Sequence, residues 1–309
     1  MKHFIFKMNC VLTARKKLFS YVASALIIGL GLNSCSDQNP PSGGGGETTI
    51  SNQYVAKAFS IGADKKVVFA QGNLQYNAKQ NVWRFAELQY DTIGKANQNI
   101  APDYDGWIDI FGWGTGKNPT QTSNNDADYS TFEDWGQNPI SNGGNLPNQW
   151  RTLKTDEWLY LFKQRANYVE RLGFGSVNGI GGLIILPDEW SLPAGLTFYT
   201  WKDKGFIFDG NFHATAATAE RNGYTHNVYT PIQWKEMEKA GAVFLPAAGE
   251  RNQTTVSNVN YAAYYFHADN RENETNAAAV IQLFPNSVSP VGGRYKRFHG
   301  SVRLAQDVE

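Results

Sequence analysis

Asp103-Tyr104-Asp105-Gly106, followed by Asp109, is the run best spaced for metal chemistry. Alternating carboxylates ahead of a glycine can converge on calcium, which takes about six to eight oxygen ligands, as in EF-hand loops. The bidentate Glu that completes such a loop is missing. The competing reading is a turn whose Asp side chains bond nearby backbone amides. No metal site or other cofactor is therefore assigned, and Asp103, Asp105 and Asp109 stand only as calcium candidates. His213, His226, His267 and His299 form no H-x-x-x-H pair, and no G-x-S-x-G elbow is present. His213 and His226 share a loop-rich stretch with Asp203 and Asp209, where solvation is expected rather than catalysis. Gly43–Gly46 lacks the Lys-Ser or Lys-Thr that would make it a phosphate loop. No catalytic residue is assigned. Two aromatics stand apart: Trp135 and Trp201 lie in polar loops, at 115–149 and 196–229, where a ring could stack on a sugar face or a peptide. They are the ligand-binding candidates. Trp107, Trp113, Trp150, Trp158 and Trp190 are expected in the core.

Thiol chemistry is confined to the N-terminal end. Leu18–Leu32 is an apolar run of 15 residues behind Arg15-Lys16-Lys17, short of the about 20 needed to span a bilayer and of signal-peptide length. It leads into Leu32-Asn33-Ser34-Cys35, which resembles a bacterial lipobox. The resemblance implies that residues 1–34 are a signal peptide, started at Met1 or Met8, and that the Cys35 thiol is acylated as a lipid anchor. Residue 36 is Ser rather than Asp, so the inner-membrane retention signal is missing and an outer-membrane lipoprotein of the cell envelope is expected. Ser36-Asp37 is similar to a surface-export signal, and the face of the membrane stays open. Cys10 falls in the leader, so no thiol is left for a disulfide, zinc or a nucleophile. Asn39-Pro40-Pro41-Ser42 and Gly43–Gly46 make residues 35–53 a spacer, with a single domain over 54–309.

The elements that position the candidate residues follow from composition and pattern. Charged residues are 18% of the 309 and aromatics 14%, which favours short strands joined by turns over disorder or coiled coil. The leader holds five of the 28 bases and no acid, which leaves 23 bases against 28 acids in the remainder. That balance gives no electrostatic footprint for nucleic acid. Lys66–Tyr76 and Val82–Tyr90 read as an antiparallel hairpin, and 106–114 as an aromatic strand. Thr155 is placed to cap a helix with Trp158, Leu161 and Phe162 on one face. Thr230-Pro231 opens a second helix that stops at Gly241. Ala242–Ala247, Ala262–His267, Ala278–Phe284 and Gly300–Leu304 read as closing strands. The class is α+β.

Several segments resemble known proteins. Arg151–Trp158 (RTLKTDEW) is similar to a helix of the formylglycine-generating-enzyme group, a branch of the C-type-lectin-like fold. QGNLQY at 71–76, GWIDIFGWGT at 106–115, WRTLKTDEW at 150–158, GLIILPDEW at 182–190, AGAVFLPAAGERN at 240–252 and GSVRL at 300–304 resemble, in order, the Fibrobacter-type major paralogous (FISUMP) domains and related Bacteroidetes lipoproteins. The resemblance implies one C-type-lectin-like domain with antiparallel strands, two short helices and long loops. It departs at Tyr264-Tyr265-Phe266-His267, where relatives have Tyr-Trp-Ser-Ser. The cysteine pair of the formylglycine enzymes is missing, which excludes that activity. The sugar-binding motifs of C-type lectins are missing too, with Gln137-Asn138-Pro139 in the wrong order and no Trp-Asn-Asp. The expected function is a noncatalytic binding module for a glycan or protein ligand. The alternatives are a structural component of an envelope assembly and a carboxylate-dependent hydrolase.

Overall fold

In the computed structural model, residues 57–208, 212–214 and 222–308 are described, with Phe208 and residues 212–214 given as backbone. The leader, Cys35, the spacer, Tyr54, Asp209 and part of the 196–229 loop lie outside the described residues. The fold is predominantly antiparallel β with two short α-helices, as the α+β reading expects in outline.

Its centre is a five-stranded sheet ordered Ala263–Arg271, Glu274–Phe284, Ser287–Tyr295, Phe212–Ala214, Phe206–Phe208. Successive side chains of a strand point to opposite faces, and here both faces are covered. Ala263, Tyr265, Ile281 and Leu283 join one apolar core with Phe69, Trp158 and Phe162. Tyr264, Phe266, Ala278 and Val280 join a second with Trp83, Trp113, Trp135 and Trp150. A four-stranded sheet built on the hairpin Leu172–Val177 and Ile180–Ile185 adds a third core under the second helix. Its edge strand Val228–Tyr229 pairs in parallel; the other ladders are antiparallel.

The expected hairpin forms between Leu74–Asn77 and Val82–Phe85, with Tyr76 opposite Trp83. The strand read over 66–76 does not run through. It breaks at 70–73, and Lys66–Phe69 pairs with the C-terminal strand Ala305–Val308 instead. Gly72 permits the step, because a Cβ there would lie 2.5 Å from the Ala86 carbonyl oxygen.

Gly300–Leu304, read as a strand, forms no regular ladder. The Gly300 amide and carbonyl exchange bonds with Phe111, Ser301 N–H reaches the Tyr264 carbonyl, and the Val302 and Leu304 carbonyls accept from Leu74 and Ala70. Three separate segments, at 70–74, 111 and 264–266, share this one stretch, which is why no single strand partners it. The aromatic run 106–114 is likewise strand only at Trp107–Ile108.

The first helix spans Thr155–Lys163 and buries Trp158, Leu161 and Phe162 as expected. Its cap is corrected: Lys154, not Thr155, is the N-cap residue. Glu157 reaches back to accept from Lys154 N–H at 2.8 Å, and Asp269 accepts from Thr155 N–H at 2.7 Å. The second helix, Pro231–Lys239, has the expected Thr230 cap, proline first turn and Gly241 stop at φ +98°.

Arg303 is buried and joins the pieces. It donates from Nη1 to the Ala70 carbonyl at 3.0 Å, from Nη2 to the Phe244 carbonyl at 2.7 Å and from Nε to Asn73 Oδ1 at 3.2 Å. Replacing it by methionine removes the donors and leaves three buried acceptors unpaired. Urea titration of Arg303→Met is expected to show a loss of about 3 kcal/mol or more.

Candidate functional site

The residues put forward by type and spacing turn out to be structural. Trp135 and Trp201 are 0% and 3% exposed, which corrects the expectation that their rings meet a ligand. Trp135 stacks on Phe266 at 6.2 Å and meets Phe132 edge-on at 5.7 Å. Trp201 packs on Phe174 at 4.2 Å and Phe206 at 5.5 Å. The loop around Trp135 is polar because its side chains fasten it down over the core. Asp134 accepts from Gly136 N–H and from both the amide and hydroxyl of Thr152, each at 3.0 Å.

The calcium candidates do not converge. Asp103 and Asp105 are exposed while Asp109 is buried. Asp105 accepts from Lys79 Nζ at 3.0 Å and Gln80 Nε2 at 3.2 Å, and these bonds hold its carboxyl below the usual range. Asp109 accepts from Ile93 N–H at 2.9 Å and Asn97 Nδ2 at 2.7 Å. Burial pushes its pKa up to about 6. Among the described residues no group of three or more His, Cys, Asp or Glu could hold a metal ion.

Two histidines are also locked inside. His267 stacks on Trp158 at 6.1 Å with Nδ1 3.1 Å from the Thr155 hydroxyl. His299 Nε2 lies 2.8 Å from the Tyr129 hydroxyl, which donates to the Ser123 carbonyl at 2.9 Å. Burial drives the His267 pKa down to about 3 and that of His299 well below its ordinary value, the latter helped by Arg251. His226 is half-buried against Phe206 at 5.3 Å, and the side chain of His213 lies outside the described residues.

One open depression of about 480 Å³ lies beside the first helix, lined by four basic and four acidic side chains. Arg151 crosses it, donating to Glu157 at 2.7 and 2.8 Å and to Asp307 at 2.9 and 2.6 Å. Its guanidinium is committed to fastening the helix start to the last strand.

The accessible chemistry gathers elsewhere, along the margin of the tryptophan-rich core. The Phe284 ring contacts Tyr261 at 6.4 Å and Tyr264 at 6.0 Å. The Arg294 guanidinium lies between the rings of Tyr264 and Phe298, at 4.6 and 4.1 Å. Arg297 lies 5.3 Å from Phe298 and 4.5 Å from Tyr295. Arg294 donates to Glu250 and Arg297 to Asp126, while Asn258 donates to the other Glu250 oxygen at 2.9 Å. Behind these groups Lys296, 1% exposed, sets its Nζ 4.0 Å above the Trp113 ring. Rings and guanidinium groups thus alternate in one ladder. Tyr261 and Tyr295 at its ends are 54% and 46% exposed.

No protein-family model, curated protein or solved structure matches this chain.

The ladder offers ring faces for stacking and N–H edges for hydrogen bonds, with no nucleophile, metal or free general base among its members. Sequence reasoning on lone tryptophans missed it. The available signal was the interleaving of bases and aromatics in Arg294-Tyr295-Lys296-Arg297-Phe298-His299. Glu250 and Asp126 carried no such signal, since tertiary contacts alone bring them in.

Trp135→Ala is expected to cost about 3–5 kcal/mol in chemical denaturation and to leave affinity for any surface ligand unchanged once folded protein is compared. The pH response of stability follows from the buried groups. A folded His267 stays neutral down to about pH 3, whereas the unfolded side chain takes a proton near 6.5. Stability therefore falls as pH drops below about 6.5, by about 1.4 kcal/mol per unit for one such group. Asp109 acts in the opposite sense. Folded, it holds a proton below about pH 6 that the unfolded carboxyl releases down to 3.8. In urea titrations between pH 6 and pH 4, His267→Asn is expected to lose less stability per unit than the parent, by about 1.4 kcal/mol.

Proposed function

We propose that this chain is an exported cell-envelope lipoprotein, held in the outer membrane through an acylated Cys35, whose domain is a noncatalytic binding module for a glycan or protein ligand. The observation that carries the reading is the part-exposed ring–guanidinium ladder with its open end rings Tyr261 and Tyr295, set against histidines and an aspartate that are consumed inside the cores. The two short helices, the antiparallel sheets and the fastened loop 115–149 support a C-type-lectin-like architecture for residues 54–309. Among the described residues no helix is long and apolar enough to cross a membrane, so the leader and Cys35 are the segment on which the anchoring rests.

The test uses the full chain on a glycan array and in pull-downs from solubilised envelopes, with Cys35→Ala cells fractionated in parallel. Saturable binding without turnover of the bound glycan, and release of the Cys35→Ala protein from membranes, are expected. Hydrolysis of a bound glycan, or a protein that stays membrane-bound without Cys35, overturns the corresponding half of the reading.

A further inference from the structure

We propose that the ladder binds an acidic polysaccharide, a polymer of carboxylate-bearing sugar rings; the inference rests on the binding-module reading above. The first argument is the depth order of its ion pairs. The Glu250 side chain is 8% exposed under an Arg294 that is 25% exposed, and Asp126 is 14% exposed under an Arg297 that is 31% exposed. In both pairs the acid lies deeper and the base nearer to solvent.

The second argument is unused capacity. A guanidinium carries five N–H donors, and each of these arginines commits one nitrogen to its carboxylate, Nη2 in Arg294 and Nη1 in Arg297. Stacking on ring faces occupies the guanidinium plane; Arg294 Nε is buried, so the edge left for hydrogen bonds is Nη1 of Arg294 with Nε and Nη2 of Arg297. Carboxylates are the acceptors that match such a fork.

Charge points the same way. Each of the two pairs turns its guanidinium outward and keeps its carboxylate beneath, while Lys296, 1% exposed with its ammonium on the Trp113 face, lies behind them and takes no part in the surface. The positive ends of both pairs therefore face solvent, which favours an anionic ligand.

The rings narrow the class. Tyr261 and Tyr295 end the ladder with about half of their surface open. A simple anion would leave those faces uncovered, whereas the C–H face of a sugar covers them and its carboxylate meets the arginine between. A nucleic acid would stack too, but it needs a tract of cations to neutralise successive phosphates, and here both solvent-facing bases are already paired.

Binding of the full chain to polygalacturonate, alginate and hyaluronan is measured by calorimetry, with fully methyl-esterified polygalacturonate as the uncharged counterpart of the first. The expected result is binding to at least one acidic polymer that weakens tenfold or more with added salt. Tyr295→Ala or Arg297→Gln should also lower it at least tenfold, with both variants checked for an unchanged melting temperature. Tyr261→Ala serves as a second variant should Arg297→Gln loosen the loop at Asp126. Equal binding to the esterified polymer, preference for single-stranded DNA, or affinity untouched by these substitutions overturns the proposal. Binding to none of the acidic polymers overturns it as well. In that case neutral glycans bound on the array leave the binding-module reading standing, and silence there and in the envelope pull-down removes both.

Discussion

The buried guanidinium of Arg303 is the constraint on which the rest of the architecture is hung. Charge in an apolar interior is costly unless every donor is used, and this one has no carboxylate within ion-pair distance among the described residues. It is satisfied by backbone instead, through the Ala70 and Phe244 carbonyls, with Asn73 as third acceptor. Those acceptors come from the break after the first long strand and from a strand of the four-stranded sheet. Asn73 passes the network on by donating to the Tyr265 hydroxyl at 3.1 Å, and Tyr265 donates to the Pro246 carbonyl at 2.7 Å. Removing the arginine would leave peptide groups from separate sheets buried without partners. Burial lowers its pKa to about 10, so it stays charged near neutral pH.

This constraint explains what was and was not legible in the sequence. Both helices were readable because their signals are local: apolar spacing of 3 and 4, and a Thr-Pro start with a Gly stop. The Leu74–Phe85 hairpin was readable from alternation and a turn-like linker. The break at 70–73 and the irregular path of 300–304 were not, since they exist to feed Arg303 and to share Gly300–Leu304 among three segments. Nothing in a window of a few residues encodes a partner more than 200 positions away. Thr155 shows the same limit on a smaller scale. It has the right chemistry for a cap, but Asp269 and His267 arrive from the central sheet and take its amide and hydroxyl.

Tryptophans were harder to place than strands. A sheet buried on both faces needs large side chains on each side, and Trp83, Trp113, Trp135 and Trp150 fill one of them. Their neighbours in sequence are polar because the loops that carry them must satisfy their own backbone at the surface, as Asp134 does. Local polarity therefore misreports the exposure of the ring. What remains for a ligand is the margin of that core, where buried Tyr264 gives way through part-buried Phe284 to open Tyr261, and arginines replace aliphatic packing.

The strand Glu250–Asn252 couples this margin to the interior. Alternation turns Glu250 toward Arg294 and the ladder, while Arg251 points inward, donating to the Ile110 and Gln253 carbonyls and pairing in register with His299. The carboxylate that positions the first guanidinium is thus fixed by a neighbour that cannot move without disturbing the core. Arg297 is fixed in the same manner through Asp126, whose 3₁₀ turn also carries Tyr129 onto His299. An arginine on a free side chain loses rotamer entropy on binding, about 0.5–1.5 kcal/mol for each one immobilised. Here both guanidinium groups are already ordered by rings and carboxylates, so much of that loss is met during folding. The packing that buries every histidine with a described side chain to half or more is the same packing that holds the ladder ready at the surface.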